Sequence, residues 1–392
     1  MARILFCWEL GAGRGHITPH LGVARRLREL GHRVTFALRS LEHAETLLGT
    51  QGFDYLQAPT RLHACPCPIK PVQSPAQILH NVGYYDPAIL LGRVKAWLGL
   101  FALAAPALVV CDHAPSALLA ARVRGLPRAV VGNGFIVPPR AVPLPALDGS
   151  AVGGGDRDEK RVLAVINAAL GQLDSPPLGA LHELFDAGLT ALQTYPEFDP
   201  HAPRTQARYF PPDSCPPGAA PEWPGAAPQR VFGYLYPGPY LEPLSAALRQ
   251  LEASTLLVGN GIADDATRAL SGPNLRFAAA PLDLQRVRAE CRLGICNGQH
   301  ATVANLLRGG CPLLLVPQML EQQVLAQRVV ALGAGEFLAS GDPAGIAAQL
   351  RRLLGDGPHR EAAAAFAARH AEVDAAAAEG ELAAALDALA SA

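Results

Sequence analysis

Short apolar runs alternate with helical segments along nearly the whole chain of 392 residues, and this alternation restricts the fold more than any other feature of the sequence. The strand-like runs of the N-terminal half are ARILFCW, HRVTFAL, DYLQA, ALVVCD and RAVVGN. Those of the C-terminal half are RVFGYL, STLLVGN, LRFAA, RLGIC and PLLLVP. Buried strands that alternate with helices predict parallel sheets whose two faces are both covered. We therefore expect an α/β fold with two doubly wound, Rossmann-like domains.

The expected domain boundaries follow from local composition. Residues 211–229 are so rich in Pro and Gly that they favour an inter-domain linker without helix or strand. This linker divides the chain into an N-terminal domain, 1–210, and a C-terminal domain, 230–358. Residues 359–392 form an Ala-rich tail, and such a composition strongly favours a helix.

Composition also excludes several classes of protein. Lys and Arg number 33 against 34 Asp and Glu, the net charge is -1, and no basic run marks a nucleic-acid-binding face. The N-terminal apolar run breaks at Glu9 and is too short for a secretion signal. The longest apolar run, residues 96–111, contains Pro106 and falls short of the roughly 20 residues that span a bilayer. We expect a soluble, cytoplasmic protein with no transmembrane segment and no nucleic-acid partner.

The cysteines and two long loops are less specific. Eight cysteines are ordinary for a reducing compartment. Cys65 and Cys67 form the one close pair, and because no second pair or His stands at metal-ligand spacing, we expect a plain loop and no metal site. The Pro-rich loops 59–75 and 136–160 are long for a compact domain, so they either recognise a substrate or are disordered without function.

A strand, a polar turn and a helix follow one another at residues 292–310. The apolar run RLGIC is interrupted by NGQHAT, after which VANLLRGG has helical spacing and ends at two glycines. Such a turn directs backbone N–H groups and the positive end of a helix dipole at one point, where a phosphate or diphosphate is favoured. The sequence therefore predicts an anion site here.

The segment GAGRGHITPH, residues 11–20, follows the first strand and predicts a second site. It is not the dinucleotide-binding fingerprint, because His16 stands where that pattern needs its third glycine, so a redox protein is disfavoured. The ordinary pKa of a histidine, about 6.5, suits proton abstraction near neutral pH. Asp112 ends the run ALVVCD at the same sheet edge and is placed to orient this imidazole, or to cap the helix that follows. His20 and His113 are rivals for the base.

These two segments resemble those of the UDP-glycosyltransferase family, which includes plant, macrolide-type antibiotic-modifying and glucuronyl glycosyltransferases. The signature residues that match in register are Pro281, Gly298, Thr302, Gly310, Pro312, Pro317, Glu321 and Gln322. The family has His, Gly and Glu where this chain has Asn297, Gln299 and Asn305, and plant members have an aromatic residue at Ala279. The positions that the resemblance assigns to nucleotide-sugar binding are Gly13, Gly15, Pro281, Leu282, Asn297, Gly298, Gln299, His300, Ala301, Thr302, Asn305, Glu321 and Gln322.

The resemblance implies a GT-B fold, in which two domains face each other across a cleft and the last helix crosses back to the N-terminal domain. The implied activity is the inverting transfer of a sugar from a UDP- or dTDP-type nucleotide sugar, the co-substrate, to a hydroxyl of a small-molecule acceptor. No metal and no other cofactor is implied. His16 is the expected base and Asp112 its partner, while Glu321 and Gln322 are expected to bind sugar hydroxyls, although Glu321 also suits the helix dipole at its position. His300 is a candidate for the positive charge that Asn297 lacks.

Two other functions stay open. A nucleotide-sugar epimerase of the same architecture acts on the nucleotide sugar without an acceptor. A non-catalytic binding or activating partner would have lost its phosphate site through Asn297, Gln299 and Asn305. The sequence also leaves open which sugar and acceptor are used, and whether the chain forms a homodimer.

Overall fold

The computed structural model of the chain describes residues 1–61, 63–150, 155–212, 218–339 and 341–391. Parts of the second long loop and of the expected linker, residues 151–154 and 213–217, lie outside these ranges.

The chain separates into two compact units. The first comprises Met1–Pro211 and Ala375–Ala392, and the second comprises Pro212–Asp374. The boundary expected from the composition of the sequence, residue 210, lies one residue before the observed boundary at Pro211. The Ala-rich tail is divided between the units, because only its last part returns to the first.

In the part of the chain that the structure describes, each unit contains one sheet, and neighbouring strands pair in parallel in both. The strands are β1 (Arg3–Trp8), β2 (Arg33–Leu38), β3 (Asp54–Gln57), β4 (Leu108–Asp112), β5 (Arg128–Gly132), β6 (Leu189–Leu192), β7 (Arg208–Tyr209), β8 (Gln229–Leu235), β9 (Ala253–Gly259), β10 (Leu275–Phe277), β11 (Leu293–Cys296), β12 (Leu313–Leu315) and β13 (Gly335–Phe337). The first sheet has seven strands in the order β3-β2-β1-β4-β5-β6-β7, and the second has six in the order β10-β9-β8-β11-β12-β13. The doubly wound α/β class predicted from the alternating pattern is confirmed.

Helices cover both faces of these sheets. They are α1 (Leu21–Glu29), α2 (Ala44–Leu47), α3 (Pro75–Asn81), α4 (Pro87–Ala104), α5 (Pro115–Val123), α6 (Gly155–Gly171), α7 (Leu241–Arg249), α8 (Asp264–Leu270), α9 (Leu284–Glu290), α10 (His300–Arg308), α11 (Leu320–Ala331), α12 (Pro343–Leu354), α13 (Pro358–Arg369) and α14 (Ala375–Ser391). The stretch from residue 75 to 104 forms two helices, α3 and α4. Asp86 caps the second of them by accepting hydrogen bonds from the N–H groups of Ala88 and Ile89, and Pro87 occupies its first position.

Side chains of the first sheet alternate between two apolar cores. Leu5 and Cys7 of β1 point into a core with Trp97 of α4, whereas Ile4 and Phe6 point into the core on the opposite face. A strand that is buried on both faces reads as a continuous apolar run, which is why β1 shows no polar alternation.

The last helix belongs to the second of these cores. Leu382 and Leu386 of α14 pack in one apolar cluster with Val23 and Leu27 of α1. Among the polar contacts nearby, Nε2 of His32 lies 2.9 Å from Oδ1 of Asp387, a residue of α14. Helix α14 therefore contributes to the interior of the first unit.

Helix α4 is the one helix in the described ranges that is long and apolar enough to cross a membrane by length and composition alone. Its residues Leu90, Val94, Trp97 and Phe101 are buried in the core of the first unit. Core helices of water-soluble domains have the same apolar character.

Both sheets have a point at which the strand order reverses. It lies between β1 and β4 in the first sheet and between β8 and β11 in the second. The loops that follow two such strands diverge, and ligands of open α/β sheets bind in the crevice beyond the strands' carboxyl ends at this point. Both segments singled out in the sequence begin here, one after β1 and one after β11.

Candidate active site

The loop after β1 brings His16 to the end of β4. Trp8, the last residue of β1, pairs in the sheet with Asp112, the last residue of β4. The chain then turns through Gly11 and Gly13, whose φ angles of 86° and 79° favour glycine, into a short 3-10 turn that contains His16. The imidazole and the carboxylate therefore meet at the point where the strand order reverses.

One carboxylate oxygen serves two histidines. Oδ2 of Asp112 lies 3.1 Å from Nδ1 of His16 and 2.8 Å from Nε2 of His20. Burial alone would raise the pKa of the Asp112 carboxyl, but the two imidazoles outweigh it and hold that pKa well below its usual range. Asp112 is therefore ionised at neutral pH and can stabilise a proton on either imidazole.

His16 is the better placed of the rival bases. Its side chain is 11% exposed, whereas that of His20 is 3% exposed and already directs Nε2 at Asp112. Because Asp112 faces Nδ1 of His16, the proton acceptor of the neutral ring is Nε2. Burial, followed by the repulsion of a charged His16, lowers the pKa of His113 to about 3, which makes it a weak base.

Two neighbours shape the surroundings of the His16 imidazole. The Trp8 ring stacks on it, with ring centroids 5.1 Å apart and planes 18° apart. A Cβ added to Gly11 would clash with Nε2 of His16. The Nε2 end of the ring thus occupies the space that a side chain at position 11 would fill, while Trp8 lies against the face of the ring. Sequence reasoning missed Trp8, whose stacking depends on the path of the loop.

A buried polar network, also missed, holds the start of the same loop. Oε1 of Glu9 lies 3.1 Å from Nη1 of Arg93, and the N–H and Oγ of Ser116 donate to its two oxygens at 2.8 and 2.7 Å. Burial raises the pKa of the Glu9 carboxyl in spite of these partners. Arg93 lies on α4 and Ser116 on α5, so the network ties the loop to two helices. An acidic residue directly after an apolar strand was the visible feature, but the sequence did not reveal its partners.

In the second unit, Asn297 is fully buried and its amide is engaged internally. Its Oδ1 accepts a hydrogen bond from the N–H of Tyr236 at 2.8 Å. Its Nδ2 donates to the carbonyl of Val316 at 2.6 Å and to the hydroxyl of Tyr240 at 3.0 Å. Both amide protons have acceptors, so the expected hydrogen bond from Asn297 to a phosphate does not fit this geometry. Asn297 instead ties together the segments that follow β8, β11 and β12.

The turn after Asn297 approaches α11 closely. Gly298 has a φ of 84°, and a Cβ there would lie 2.9 Å from the carbonyl oxygen of Gln322. Gln299 follows as the N-cap of α10 but provides no side-chain cap, so it leaves the N–H groups of the first turn to other acceptors. Within the described ranges, both polar atoms of its amide are buried without a hydrogen-bond partner. Ala301 and the buried Thr302 complete the first turn.

Two expectations for α10 need correction. Burial lowers the pKa of His300 to about 4, so its imidazole is neutral at pH 7 and does not supply the charge that Asn297 lacks. Asn305 is buried, and its Nδ2 donates to the carbonyl of Ala301 in the preceding turn at 2.9 Å. This back-bond turns the amide onto its own helix, away from the ribose contact expected of it.

The remaining residues predicted for the second unit lie beyond the carboxyl ends of its strands, Pro281 and Leu282 after β10 and Glu321 and Gln322 in the helix after β12. The carbonyl of Pro281 accepts from the N–H of Ala219 at 2.9 Å, and Leu282 forms a parallel bridge with Ala219. Oε1 of Gln322 accepts from the N–H groups of Gln318 and Met319 at 2.9 and 3.2 Å, which caps α11. Glu321 stands in the first turn of α11. These residues therefore lie at the same edge of the sheet. The side-chain carbonyl of Gln322 is already engaged in the cap of α11.

Three solved structures are similar to this chain over almost their whole lengths. The glycosyltransferase VinC in complex with dTDP has 19% identity and a TM-score of 0.71, with 99% of each chain covered. CalG4, the calicheamicin glycosyltransferase, has 21% identity and a TM-score of 0.74, with 98% of each covered. The spinosyn rhamnosyltransferase SpnG complexed with thymidine diphosphate has 18% identity and a TM-score of 0.69, with 97% of this chain and 100% of that chain covered.

No protein-family model matches the sequence, and no protein with a curated function matches it. The similarity to solved structures establishes the fold: two parallel α/β units of the kind found in GT-B glycosyltransferases.

Proposed function

We propose that this chain is an inverting glycosyltransferase that moves a sugar from a nucleotide-diphosphate sugar to a hydroxyl of a small-molecule acceptor. The observation that carries the proposal is the His16–Asp112 pair, 3.1 Å apart, at the reversal point of the first sheet. The fold shared with glycosyltransferases supports it. The free thiols of the described cysteines suit a reducing compartment, and we place the reaction in the cytoplasm.

In the proposed reaction, His16 acts as the general base. The acceptor hydroxyl donates a hydrogen bond to Nε2, and its proton passes to that nitrogen as the oxygen attacks the anomeric carbon. The bond from that carbon to the diphosphate breaks in line, so the configuration at the sugar inverts. Asp112, ionised and 3.1 Å from Nδ1, stabilises the imidazolium that forms and selects the tautomer in which Nε2 is the proton acceptor.

The departing diphosphate needs positive potential where its charge develops. The start of α10, a helix of nine residues, offers three sources of positive potential. They are the N–H groups of the first turn, the hydroxyl of Thr302 and the positive end of the helix dipole. We propose that this turn holds the diphosphate without a divalent cation. Asn297 contributes indirectly, because its internal hydrogen bonds fix the start of the turn.

The donor is a UDP or dTDP sugar on this proposal. VinC and SpnG were each solved with dTDP, which favours the thymidine nucleotide as the first to be tested. The loop around Pro281 and Leu282 would contact the base, and Glu321 would accept from the sugar hydroxyls. The amide of Gln299 is the best candidate for a further polar contact, since none of its polar atoms has a partner within the described ranges.

The decisive test combines a panel of UDP and dTDP sugars with hydroxyl acceptors, and follows glycoside formation by mass spectrometry. We expect wild-type protein to transfer at least one sugar and His16→Ala to lose transfer while keeping nucleotide affinity within about threefold. His43→Ala, which removes a histidine outside the site, is the control and should remain active. A His16→Ala variant that transfers within a few-fold of wild type would falsify the role of His16.

A second reading, a non-catalytic binding partner, is favoured by one observation: Asn297 and Asn305 both direct their amides at the protein itself. Calorimetry with UDP and dTDP distinguishes a glycosyltransferase from a non-catalytic partner. A chain that binds neither nucleotide would favour the non-catalytic partner. Incubating a nucleotide sugar without an acceptor tests the epimerase, which would convert it.

A further inference from the structure

Two thiols and an imidazole meet in the first unit, outside the site described above. They are Cys65 and Cys67, from the Pro-rich loop 59–75, and His80, from α3. Their ligand atoms all lie within 4.8 Å of one another, and Sγ of Cys67 is 3.8 Å from Nε2 of His80. The sequence predicts a plain loop here because His80 lies 13 residues beyond Cys67. Only the packing of α3 against the loop brings the histidine to the cysteines.

The distances suit a tetrahedral metal ion. With Zn–S near 2.3 Å and Zn–N near 2.0–2.1 Å, a sulfur and a nitrogen on one tetrahedral ion are about 3.6 Å apart. The observed 3.8 Å between Cys67 and His80 is close to this separation. Cys65 needs to approach by no more than about 1 Å, a shift within the reach of a rotation about its side chain.

The surrounding structure holds the ligands in place. Nδ2 of Asn81 donates to the carbonyl of Ile69 at 2.9 Å, and the N–H of Ile69 donates to Oδ1 of Asn81 at 2.8 Å. These two hydrogen bonds join the loop to the end of α3. His80 is 1% exposed, and its Nδ1 is buried without a hydrogen-bond partner within the described ranges. Cys65 is 9% exposed, whereas Cys67 is exposed and offers a route for an ion from solvent.

We propose that Cys65, Cys67 and His80 bind one zinc ion, with a water molecule at the fourth position. Two thiols lose their protons to solvent and coordinate as thiolates, and His80 coordinates through Nε2 as a neutral imidazole. The ion's two positive charges are then balanced by the two thiolates. Thiolate and imidazole ligands select zinc over magnesium or calcium, which prefer oxygen. The site is independent of the proposed catalytic role, and its occupancy would fix residues 65–69 on α3.

The histidine sets the expected affinity. Nε2 of His80 lies 3.0 Å from the carbonyl oxygen of Cys67, so zinc binding requires this contact to break and the ring proton to move to Nδ1. Ligating histidines normally donate from their second nitrogen to an acceptor, and the loss of such a partner weakens binding by about 10- to 100-fold. We therefore expect zinc to bind more weakly here than at a structural site with a complete outer shell.

The test uses the full-length chain, reduced and stripped of metal, and measures zinc by equilibrium dialysis with metal analysis. Cobalt(II) serves as a spectroscopic probe, because thiolate ligands give an intense charge-transfer band in the near ultraviolet. We expect about one zinc ion per chain and a thiolate band that Cys67→Ser and His80→Gln weaken. Cys67 is exposed, so Cys67→Ser should stay folded by circular dichroism, and the control His63→Ala, an exposed histidine of the same loop, should bind as wild type.

Two results would overturn the proposal. The first is wild-type protein that retains no more zinc than the Cys65→Ser/Cys67→Ser double variant, or that shows no thiolate band with cobalt. The second is a Cys65–Cys67 disulfide that persists under the reducing conditions of the assay, seen as a mass two hydrogens lower than the thiol form. Both results concern zinc binding alone, and neither changes the expectation for sugar transfer.

Discussion

Asp112 and Asn297 occupy equivalent places in the two sheets, and each joins the fourth strand of its unit to the segment after the first strand. Asp112 ends β4 and contacts His16 beyond β1, whereas Asn297 follows β11 and accepts from the N–H of Tyr236 beyond β8. The same topology thus carries a charged partner for an imidazole in one unit and a neutral structural amide in the other.

Replacing Asp112 with Asn should reduce transfer strongly with little effect on donor binding. The amide carries no charge to stabilise the imidazolium and cannot select the same tautomer, so we expect kcat to fall by about 100- to 10,000-fold. Steady-state kinetics with calorimetry of nucleotide binding measures both quantities. Asp54→Asn, which alters an exposed ion pair with Arg33, is the matched control and should keep full activity.

Gly11→Ala should block the base without removing it. The added methyl clashes with Nε2 of His16, and the φ of 86° disfavours any side chain. We expect transfer to fall at least as far as in Asp112→Asn. Gly92→Ala, at an exposed position of α4, places its methyl in open space, with no atom of the described ranges within 4 Å, and should cost little. Similar activities of the two variants would argue against Nε2 as the proton acceptor.

His113 should make the first unit sensitive to mild acid. Its pKa is about 3 in the folded chain and about 6.5 when unfolded, so the unfolded state binds the extra proton between these values. The stabilising contribution is complete above pH 6.5 and decreases by up to about 1.4 kcal/mol per pH unit as the pH falls below it. Denaturant unfolding at pH 7 and pH 5 should show a smaller loss for His113→Gln than for wild type. Equal losses would contradict the prediction.

Asn297→Ala should act on stability first. It removes the partners of the Tyr236 N–H and the Val316 carbonyl, and unpaired buried groups cost about 1–3 kcal/mol each. We expect the free energy of unfolding to decrease by about 2–4 kcal/mol, measured by denaturant titration. Gln299→Ala, whose amide makes no hydrogen bond within the described ranges, should change stability by less than about 1 kcal/mol but weaken nucleotide binding. If Asn297→Ala instead weakened nucleotide binding with little loss of stability, the expected contact between Asn297 and the phosphate would be supported.

The sequence predicted the architecture well because the main strands are buried on both faces. The three strands it missed, β6, β7 and β13, contain four, two and three residues and lie towards one edge of their sheets. Strands β10 and β12 also contain only three residues but lie in the longer runs LRFAA and PLLLVP, whereas no such run marks β6, β7 and β13 in the sequence. The break between α3 and α4 was readable in principle, since Asp86 and Pro87 form a typical helix start.

The candidate site was predicted in outline but not in its contacts. The order of glycines and His16 after a strand, and of Asp112 at the end of another, was enough to suggest their meeting. The hydrogen bonds that engage Asn297 come from segments some 60 residues before and 19 residues after it, and no local pattern reports them. The same is true of Glu9 and Arg93, which are separated by 84 positions and joined only by packing.

The return of α14 to the first unit makes the second unit, topologically, an insertion within the first. Residues Pro212–Asp374 form a continuous stretch with its own sheet, whereas the apolar cluster around Val23 and Leu27 is completed by Leu382 and Leu386. During synthesis, the apolar cluster of the first unit therefore stays incomplete until the second unit and then α14 have been translated. Shortening the chain after residue 374 would spare the inserted unit and damage the one that was translated first.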